Sequence, residues 1–249
     1  MKVEVRSAAT VVLLRDSDAG IETFVMRRAT TMAFAPRMHV FPGGRVDGID
    51  ARERVEFVSG DIDALALRAS TDADGVRALY SCAVRETEEE VGIVIARRDD
   101  EGRLLIDPAH LPIIDHWVTP ETESHRYDVR FFAAVVADGQ ASLTTTEADR
   151  AAWISPADAL AEFAAGRMAM LPPTESVLRR LAEFERAADV ITDAPSRPVV
   201  PLLPKRFVEA DGRVHWAMVN DRTGEVLADD ITMPHTREVD GLPASEDAG

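Results

Sequence analysis

The chain has 249 residues, of which 46% are hydrophobic and 29% charged, and its formal net charge at pH 7 is −16. This length and composition predict a globular protein of one or two domains. The acidic balance argues against a nucleic-acid or anionic-membrane partner, because phosphate-rich surfaces are bound by basic patches. A small phosphorylated ligand is still compatible with it, since a few local arginines beside a metal ion suffice to bind one.

Cys82 is the one cysteine, which excludes an intrachain disulfide and a cysteine-rich zinc site. We therefore expect a reducing, cytoplasmic location and interpret Cys82 as a core residue. The apolar run "SAATVVLL" near the start is too short for a membrane span and lacks the small-residue cleavage site of a signal peptide. We interpret it as a buried strand.

The first half of the chain predicts a strand pair, a glycine loop and a long helix. Residues 8–14 and 22–28 are β-rich and flank the turn-like "RDSDAG", and "FPGG" at 41–44 predicts a tight loop. Residues 50–75 are charged and poorly periodic, so we expect an insertion with at most a short helix, acting either as a lid or as a surface segment. A helix ending at Gly92 is predicted next, and its buried face comprises Val76, Leu79, Tyr80, Ala83, Thr87 and Val91.

The second half predicts strands at 93–96, 113–118 and 129–136, a helix after Pro156 and another over 174–187. From about Pro195 the sequence is broken by prolines, and a hairpin is expected to turn near 221–224. The last ~15 residues are polar enough to be disordered. Strands and helices interleave, so we predict an α/β domain over 1–190 and a C-terminal extension over 191–249 with a hairpin and a disordered tail.

Four glutamates fall within five residues at the end of the predicted long helix, in "RETEEEVG". On a helix, Glu86, Glu89 and Glu90 share one edge, where like charges repel and the helix dipole disfavours anions. A divalent cation would remove this repulsion, and oxygen ligands of this kind suit Mg²⁺ or Mn²⁺. The alternative is a solvated acidic face, on which Arg85 and Glu89 form an i, i+4 ion pair.

Gly44 and the later "RETEEEVGI" together resemble the signature of the Nudix hydrolase family. That signature has a glycine, a spaced glutamate and then Arg-Glu-aliphatic-any-Glu-Glu-any-Gly-aliphatic; the matching residues here are Arg85, Glu86, Glu89, Glu90, Gly92 and Ile93. Thr87 replaces an aliphatic residue, and Asp50 stands where the spaced glutamate would be. As many as 34 residues separate Asp50 from Arg85, far more than in the ordinary signature. Such an insertion resembles the branch that includes the peroxisomal coenzyme A diphosphatases.

The resemblance implies an α/β/α sandwich with a mixed sheet and a divalent-metal-dependent pyrophosphohydrolase that cleaves a nucleotide-linked diphosphate, with Mg²⁺ or Mn²⁺ as cofactor. It carries over Glu86 and Glu90 as the main metal ligands and Glu89 as a third ligand or as the general base. Arg85 is expected to orient these glutamates. Gly43 and Gly44 are expected to let the backbone approach metal or phosphate closely.

Many members of the family add a glutamate from a loop that precedes a tryptophan-containing strand. Glu147, six residues before Trp153, is the candidate for a ligand or catalytic base. The alternative is an exposed turn residue, and Glu121 and Glu123 are weaker rivals for the same role. His39 is interpreted as a packed or partly exposed residue.

The resemblance makes coenzyme A or an acyl derivative the first substrate prediction, with 3′,5′-ADP and a phosphopantetheine as products. ADP-ribose, NADH and FAD are alternatives, because a coenzyme A motif in related enzymes is matched only partly: Arg28 and Ala29 fit, but Ala33 and Arg37 replace an arginine and a glycine. The residues proposed to bind substrate phosphate are Arg28, Arg37 and Arg126, and those proposed to stack on a base, if they are not core residues, are Phe34, Trp117 and Tyr127.

Two alternatives from other classes remain at this stage. A Nudix-fold nucleotide sensor would bind without cleaving, although it would have no need for all three glutamates. An acidic scaffold whose helix merely resembles the motif would gain no thermal stability from Mg²⁺. Family habit makes a homodimer the expected assembly, with a small nucleotide as the partner and neither nucleic acid nor membrane.

Overall fold

The computed structural model describes residues 3–31, 35–136, 141–209 and 211–231. The predicted disordered tail, Ala33 and Phe34 lie outside these residues. The described strands are β1 Val5–Ser17, β2 Gly20–Arg28, β3 His39–Val40, β4 Gly43–Arg45, β5 Val55–Phe57, β6 Arg97–Arg98, β7 Leu104–Ile106, β8 Ile113–Val118, β9 Arg126–Val135, β10 Ala148–Ile154, β11 Leu202–Val208, β12 Val214–Asn220 and β13 Val226–Ala228. The described α-helices are α1 Ile62–Ala69, α2 Ala73–Val91, α3 Pro156–Ala164, α4 Pro172–Leu181 and α5 Ala187–Asp193.

A large mixed sheet organises the molecule, in the order β10-β2-β1-β9-β8-β11-β12-β13, with β3 paired to β2 and β4 to β1. β1 lies at its centre and runs parallel to β9 from Val5 opposite Arg126 to Leu14 opposite Val135. The strands predicted around 8–14, 22–28, 113–118 and 129–136 are confirmed. The strand predicted at 93–96 is wrong, because the chain there is extended without a ladder partner and pairs only from Arg97 onward.

Helices cover both faces of this sheet, which confirms the α/β/α arrangement. One apolar core lies between the sheet and the pair α1 and α2. The other lies between the sheet and α3, α4 and α5. None of the helices in the described ranges is both long and apolar enough to span a bilayer.

The helix α2 carries the buried face that its sequence predicts, since the six expected side chains are all 2% exposed or less. Asp72 begins the helix by accepting a hydrogen bond from the Gly75 amide at 2.8 Å. Gly92 ends it with a φ of 70°, a left-handed conformation that glycine adopts without strain. This helix crosses the sheet with its last turn beside β4.

The insertion at 50–75 forms part of the body of the protein. It contains a 3₁₀ turn at Asp50–Arg52, the strand β5 and the helix α1. The expectation of at most a short helix missed β5, which pairs in parallel with β7 in a separate three-stranded sheet. Arg68 of α1 donates hydrogen bonds to the carbonyls of Ile113 and Ala194, so this helix is anchored to β8 and to the segment after α5.

Two further predictions need correction. Residues 43–45 are not a loop but the short strand β4, antiparallel to β1, where the absence of side chains lets the two backbones meet. The helix predicted over 174–187 is two helices, because α4 ends at Leu181 and a tight turn precedes α5. The first amide of α5, that of Ala187, donates to Asp16 at 2.7 Å, a partner far away in sequence.

The C-terminal segment extends the main sheet. β11 contacts β8 in parallel at Leu202 and pairs antiparallel with β12, and β12 pairs with β13 around a turn at residues 221–225. The expected hairpin is therefore present. The domain division at residue 190 stays a prediction, and α5 runs across that position.

Candidate active site

The last turns of α2 place two carboxylates, that of buried Glu90 and that of half-buried Glu86, against the glycine strand β4. Glu90 is 7% exposed, and its Oε2 accepts a hydrogen bond from the Gly43 amide at 2.7 Å. Burial raises the pKa of Glu90 to about 8 and also raises the pKa of Glu86. Desolvation therefore disfavours the charged form of both groups, even though Arg85 pairs with Glu86, and a bound cation would stabilise both as anions.

Arg85 connects the carboxylates to the rest of the site. Its Nε and Nη2 donate to the two oxygens of Asp50 at 2.9 and 2.8 Å, a bidentate pair. Its Nη1 donates to Glu86 Oε1 at 2.8 Å and to Glu89 Oε2 at 3.1 Å. Arg85 is thus held by a buried carboxylate on one side and orients two glutamates on the other.

Asp50 is the residue that occupies the place of the spaced glutamate, and the structure brings it to Arg85 despite the long insertion. Its side chain is fully buried and also accepts the Asp47 amide at 2.8 Å and the Ser81 hydroxyl at 3.3 Å. The inserted residues begin after Asp50, and the chain comes back to this site along α2, which carries Arg85. The spacing in the sequence therefore changes while the contact is kept.

A side chain would clash at both positions of β4, with backbone at Gly43 and with the carboxylate end of Glu86 at Gly44. A Cβ on Gly43 would lie 2.3 Å from the Ala9 carbonyl oxygen, and one on Gly44 would lie 2.4 Å from Glu86 Oε1. The neighbouring thiol of Cys82 is buried and donates to the carbonyls of Gly44 and Arg45 at 3.5 and 3.3 Å. Cys82 is thus a core residue that also ties α2 to β4.

The fit of a metal ion depends on this donor set. Glu86, Glu89 and Glu90 supply only carboxylate oxygens, which suit a hard divalent cation. Across the described ranges, no three acidic, histidine or cysteine side chains are gathered closely enough to hold a metal. In this arrangement Arg85 donates to Glu86 and Glu89, and the Gly43 amide donates to Glu90. The chemistry of the donors fits a cation, and at least one carboxylate must leave its present partner to bind one.

Glu147 stands at the end of a loop, residues 141–147, that lies against the last turn of α2. Its carbonyl accepts the Ala29 amide at 2.8 Å, and its own amide donates to Thr145 Oγ1 at 3.1 Å. The side chain is exposed, and its charge contributes to the raised pKa of Glu90. The structure therefore brings Glu147 into the electrostatic neighbourhood of the carboxylates. Of its rivals, Glu121 is exposed and Glu123 is on the wall of the neighbouring cavity.

A cavity of about 500 Å³ begins at Gly43 and Arg28. Its walls are largely apolar and include the prolines and aromatic residues Pro36, Pro120, Pro172, Pro173, Pro204, Phe41, Trp117, Tyr127 and Phe131. The ionisable residues that line it within the described ranges are Arg28, Glu123 and His125. The cavity is thus largely uncharged, and it shares Gly43 with the carboxylate site at the end of α2.

The other predicted ligand-binding residues have different surroundings. Arg37 is exposed with a φ of 64°, and its amide donates to the Arg28 carbonyl at 3.1 Å. Arg126 is 6% exposed, and its Nε donates to the Thr119 carbonyl at 3.0 Å. Its proposed phosphate contact stays a prediction, and the structure gives its guanidinium a backbone partner instead. His39 is half-buried, and its ring lies 3.0 Å from the Ala169 carbonyl.

Sequence reasoning missed Ser142 and Thr144, which hydrogen-bond the last carbonyls of α2 from the 141–147 loop. No local pattern marks them, because the helix they cap lies some fifty residues earlier in the chain. In this loop only Glu147 could be singled out from the sequence, because it stands six residues before Trp153.

The family follows from comparison with known proteins. The model of the NUDIX domain matches residues 5–173, about two thirds of the chain. The chain therefore belongs to the Nudix hydrolase family. Members of this family generally use divalent metal ions and act on small nucleotide substrates.

Two relatives illustrate the relationship. A putative Nudix hydrolase 7 from Caenorhabditis elegans is 28% identical over 195 residues, which is 72% of this chain and 61% of the relative. The chain thus spans about three fifths of the length of that curated relative. The crystal structure of a NUDIX hydrolase from Alicyclobacillus acidocaldarius superposes with a TM-score of 0.64 at 30% identity, covering 77% of this chain and 97% of that one.

Proposed function

We propose that this protein hydrolyses a nucleotide-linked diphosphate with the help of a divalent cation, Mg²⁺ or Mn²⁺. The observation that carries the proposal is the pair formed by buried Glu90 and half-buried Glu86, whose pKa values are both raised by desolvation, beside the glycine strand that lines an apolar cavity. A merely solvated acidic helix would expose these side chains and leave the pKa values near their ordinary range. Desolvation of neighbouring carboxylates is unfavourable unless a cation compensates for it, so these two groups support a binding site.

Glu86, Glu89 and Glu90 would hold the cation. When bound, it would neutralise charge on the diphosphate and make water more acidic. The Arg85 guanidinium holds one carboxylate oxygen of Glu86 and one of Glu89. These hydrogen bonds restrict the directions from which the two carboxylates can bind a cation. The Gly43 amide, which now donates to Glu90, is positioned to donate to a phosphate oxygen if Glu90 turns toward the cation.

Glu147 is proposed as the general base that takes a proton from the attacking water. It is exposed, hence accessible to solvent, and its backbone is fixed on both sides by hydrogen bonds. Glu89 is the competing candidate, but its ion pair with Arg85 favours a positioned anion that serves as a ligand. A base must reach the proton it removes, and the exposed side chain of Glu147 lies close enough to Glu90 for its charge to act on that carboxylate.

Coenzyme A or an acyl derivative is the proposed substrate, with ADP-ribose, NADH or FAD as alternatives. The cavity supports this order, because its walls offer few charged groups and five prolines without amide donors. The pantetheine arm of coenzyme A is uncharged, whereas the second half of NADH or ADP-ribose carries a ribose that requires polar partners. Arg28 lines the cavity and its charge acts on Glu90, so it is the cation proposed to contact a substrate phosphate.

The test is a substrate comparison with matched pairs. Coenzyme A, acetyl-coenzyme A, dephospho-coenzyme A, ADP-ribose, NADH and FAD are incubated with Mg²⁺ or Mn²⁺, and products are identified by mass spectrometry. We expect coenzyme A or its thioester to have the highest kcat/KM and to release 3′,5′-ADP. Preference for ADP-ribose or NADH would keep the reaction class and reject the substrate. The homodimer stays a prediction that light scattering on the same sample would check.

A further inference from the structure

The end of α2 is capped by another part of the chain. The last four carbonyls of an α-helix have no partner within the helix and must be satisfied from outside. In α2 the Glu88 carbonyl accepts the Gly92 amide at 3.0 Å, and the Val91 carbonyl accepts the Ser142 amide at 3.2 Å. The two carbonyls between them belong to Glu89 and Glu90, the residues that carry the proposed metal-binding carboxylates.

Thr144 satisfies both of these carbonyls. Its hydroxyl donates to Glu89 O at 2.6 Å, and its amide donates to Glu90 O at 2.9 Å. One residue therefore fixes the backbone of two adjacent glutamates at a helix end, where fraying would otherwise move them. The capping is a nonlocal contact, because the hydroxyl and its acceptor are 55 positions apart.

The same residue stands three positions before Glu147. The intervening chain is fixed, since the Glu147 amide donates to Thr145 Oγ1 and the Glu147 carbonyl accepts from Ala29 at the end of β2. Anchored by Thr144 at one end and by Ala29 at the other, the segment has little freedom to change the distance between Glu147 and α2. The position of Glu147 relative to Glu90 thus depends on the Thr144 contact.

We propose that Thr144 is a positioning residue. It couples the 141–147 loop, which ends at the proposed base Glu147, to the last turn of α2, which carries Glu89 and Glu90. Its hydroxyl sets the separation between Glu147 and the pair Glu89 and Glu90 without contacting substrate itself. The expected effect of Thr144 on kcat rests on the function proposed above. Its effects on the order of the α2 end and on the cation affinity of the glutamates can be measured without turnover.

The chain offers closely matched variants for the test. Thr144→Val keeps the shape and the amide but removes the hydroxyl donor, and Thr144→Ser keeps the donor. Thr146→Val makes the same atomic change at an exposed threonine of the same loop. Because Thr144 is exposed and a hydrogen bond of this kind contributes only about 1 kcal/mol, all three variants should fold with melting temperatures near that of the wild type.

The expected result is a kcat for Thr144→Val about 10- to 100-fold below wild type, the usual effect of losing an outer-shell partner, with KM nearly unchanged. Thr144→Ser should restore kcat, and Thr146→Val should retain it. Hydrogen exchange of the metal-free protein should be faster over residues 141–147 in Thr144→Val alone. Mn²⁺ titration followed by electron paramagnetic resonance should show weakened binding in the same variant.

The outcomes separate the two proposals. Wild type that cleaves no diphosphate but binds Mn²⁺ more tightly than Thr144→Val would reject the reaction and keep the role of Thr144. Equal Mn²⁺ affinity and equal exchange in wild type and Thr144→Val would overturn the role of Thr144, whatever the activity. It would also be overturned by equal losses in Thr146→Val or by failure of Thr144→Ser to restore kcat.

Discussion

Replacing Gly44 by alanine should reduce activity far more than stability. The new Cβ would lie 2.4 Å from Glu86 Oε1 and 2.6 Å from its Cδ, where ordinary contact begins near 3.4 Å. These atoms are the carboxylate end of the Glu86 side chain, so they can move away without displacing the backbone, although the hydrogen bond with Arg85 is then disturbed. A displacement of about 1 Å in a catalytic group commonly costs about 100-fold in rate. We therefore expect kcat to fall by about that factor.

Gly43→Ala is the informative comparison, because the same methyl group there meets backbone. It would lie 2.3 Å from the Ala9 carbonyl oxygen and 2.6 Å from the Cα of Thr10, at a φ of 154° that side chains disfavour. Relieving this clash requires β4 to separate from β1. Strain and overpacking together should cost about 2–4 kcal/mol, or about 5–15 °C in melting temperature for a domain of this size.

The assay is thermal unfolding by circular dichroism together with steady-state turnover of the preferred diphosphate. Gly44→Ala should melt within about 3 °C of wild type and lose most of its kcat, whereas Gly43→Ala should lose stability first. If Gly44→Ala retained wild-type kcat, Glu86 would not be needed where the structure places it. If both variants melted alike, the assignment of backbone and side-chain contacts in β4 would be wrong.

Three further predictions concern the charged groups. Asp50→Ala leaves the mostly buried Arg85 guanidinium without its bidentate partner and should lower the free energy of unfolding by about 3–5 kcal/mol. If the losses of stability in Asp50→Ala and Arg85→Met were additive in the double variant, this prediction would be contradicted. The pKa of Glu90 is about 8 against an ordinary 4.5, so between these pH values the unfolded chain binds fewer protons than the folded protein, and the stability of the metal-free protein should fall as pH rises from 4.5 to about 8. Glu90→Gln should abolish this part of the pH dependence of the melting temperature. An unchanged pH dependence in Glu90→Gln would refute the prediction. Glu147→Gln should lower kcat by about 100-fold or more without changing the melting temperature, whereas Glu123→Gln should not, and equal effects on kcat would reject Glu147 as the base.

Local patterns predicted the elements whose stability is local. The helical face of α2 and its stop at Gly92 depend on spacing and on a single left-handed residue, both readable from sequence. The strands around β1 are continuous apolar runs buried on both faces, which the sequence also shows. The motif residues Arg85, Glu86 and Glu90 converge because helix periodicity places them on the side of β4.

The errors share a physical cause, since each outcome depends on whether a distant part of the chain supplies a partner. Residues 93–96 have strand-like composition, and Ile93 is buried at 3% exposure, but among the described residues no strand pairs with them. α4 and α5 are separate because Asp16 caps the second helix. The glycines of β4 suggested a loop, although their reason is the close approach of β1 and Glu86. The phosphate contact of Arg126 stays a prediction, and the bond from its guanidinium to the Thr119 carbonyl is a contact that no local pattern shows.

The proposed function depends above all on binding of a divalent cation by Glu86, Glu89 and Glu90 at the end of α2. The most direct measurement is product release from coenzyme A, ADP-ribose, NADH and FAD with Mg²⁺, comparing wild type with Glu89→Gln and Glu90→Gln. The account predicts turnover by wild type and a loss of at least about 100-fold in Glu90→Gln, which keeps the shape of the side chain and removes its charge. Turnover that survives both substitutions would contradict it and would make the acidic end of α2 a solvated helix face.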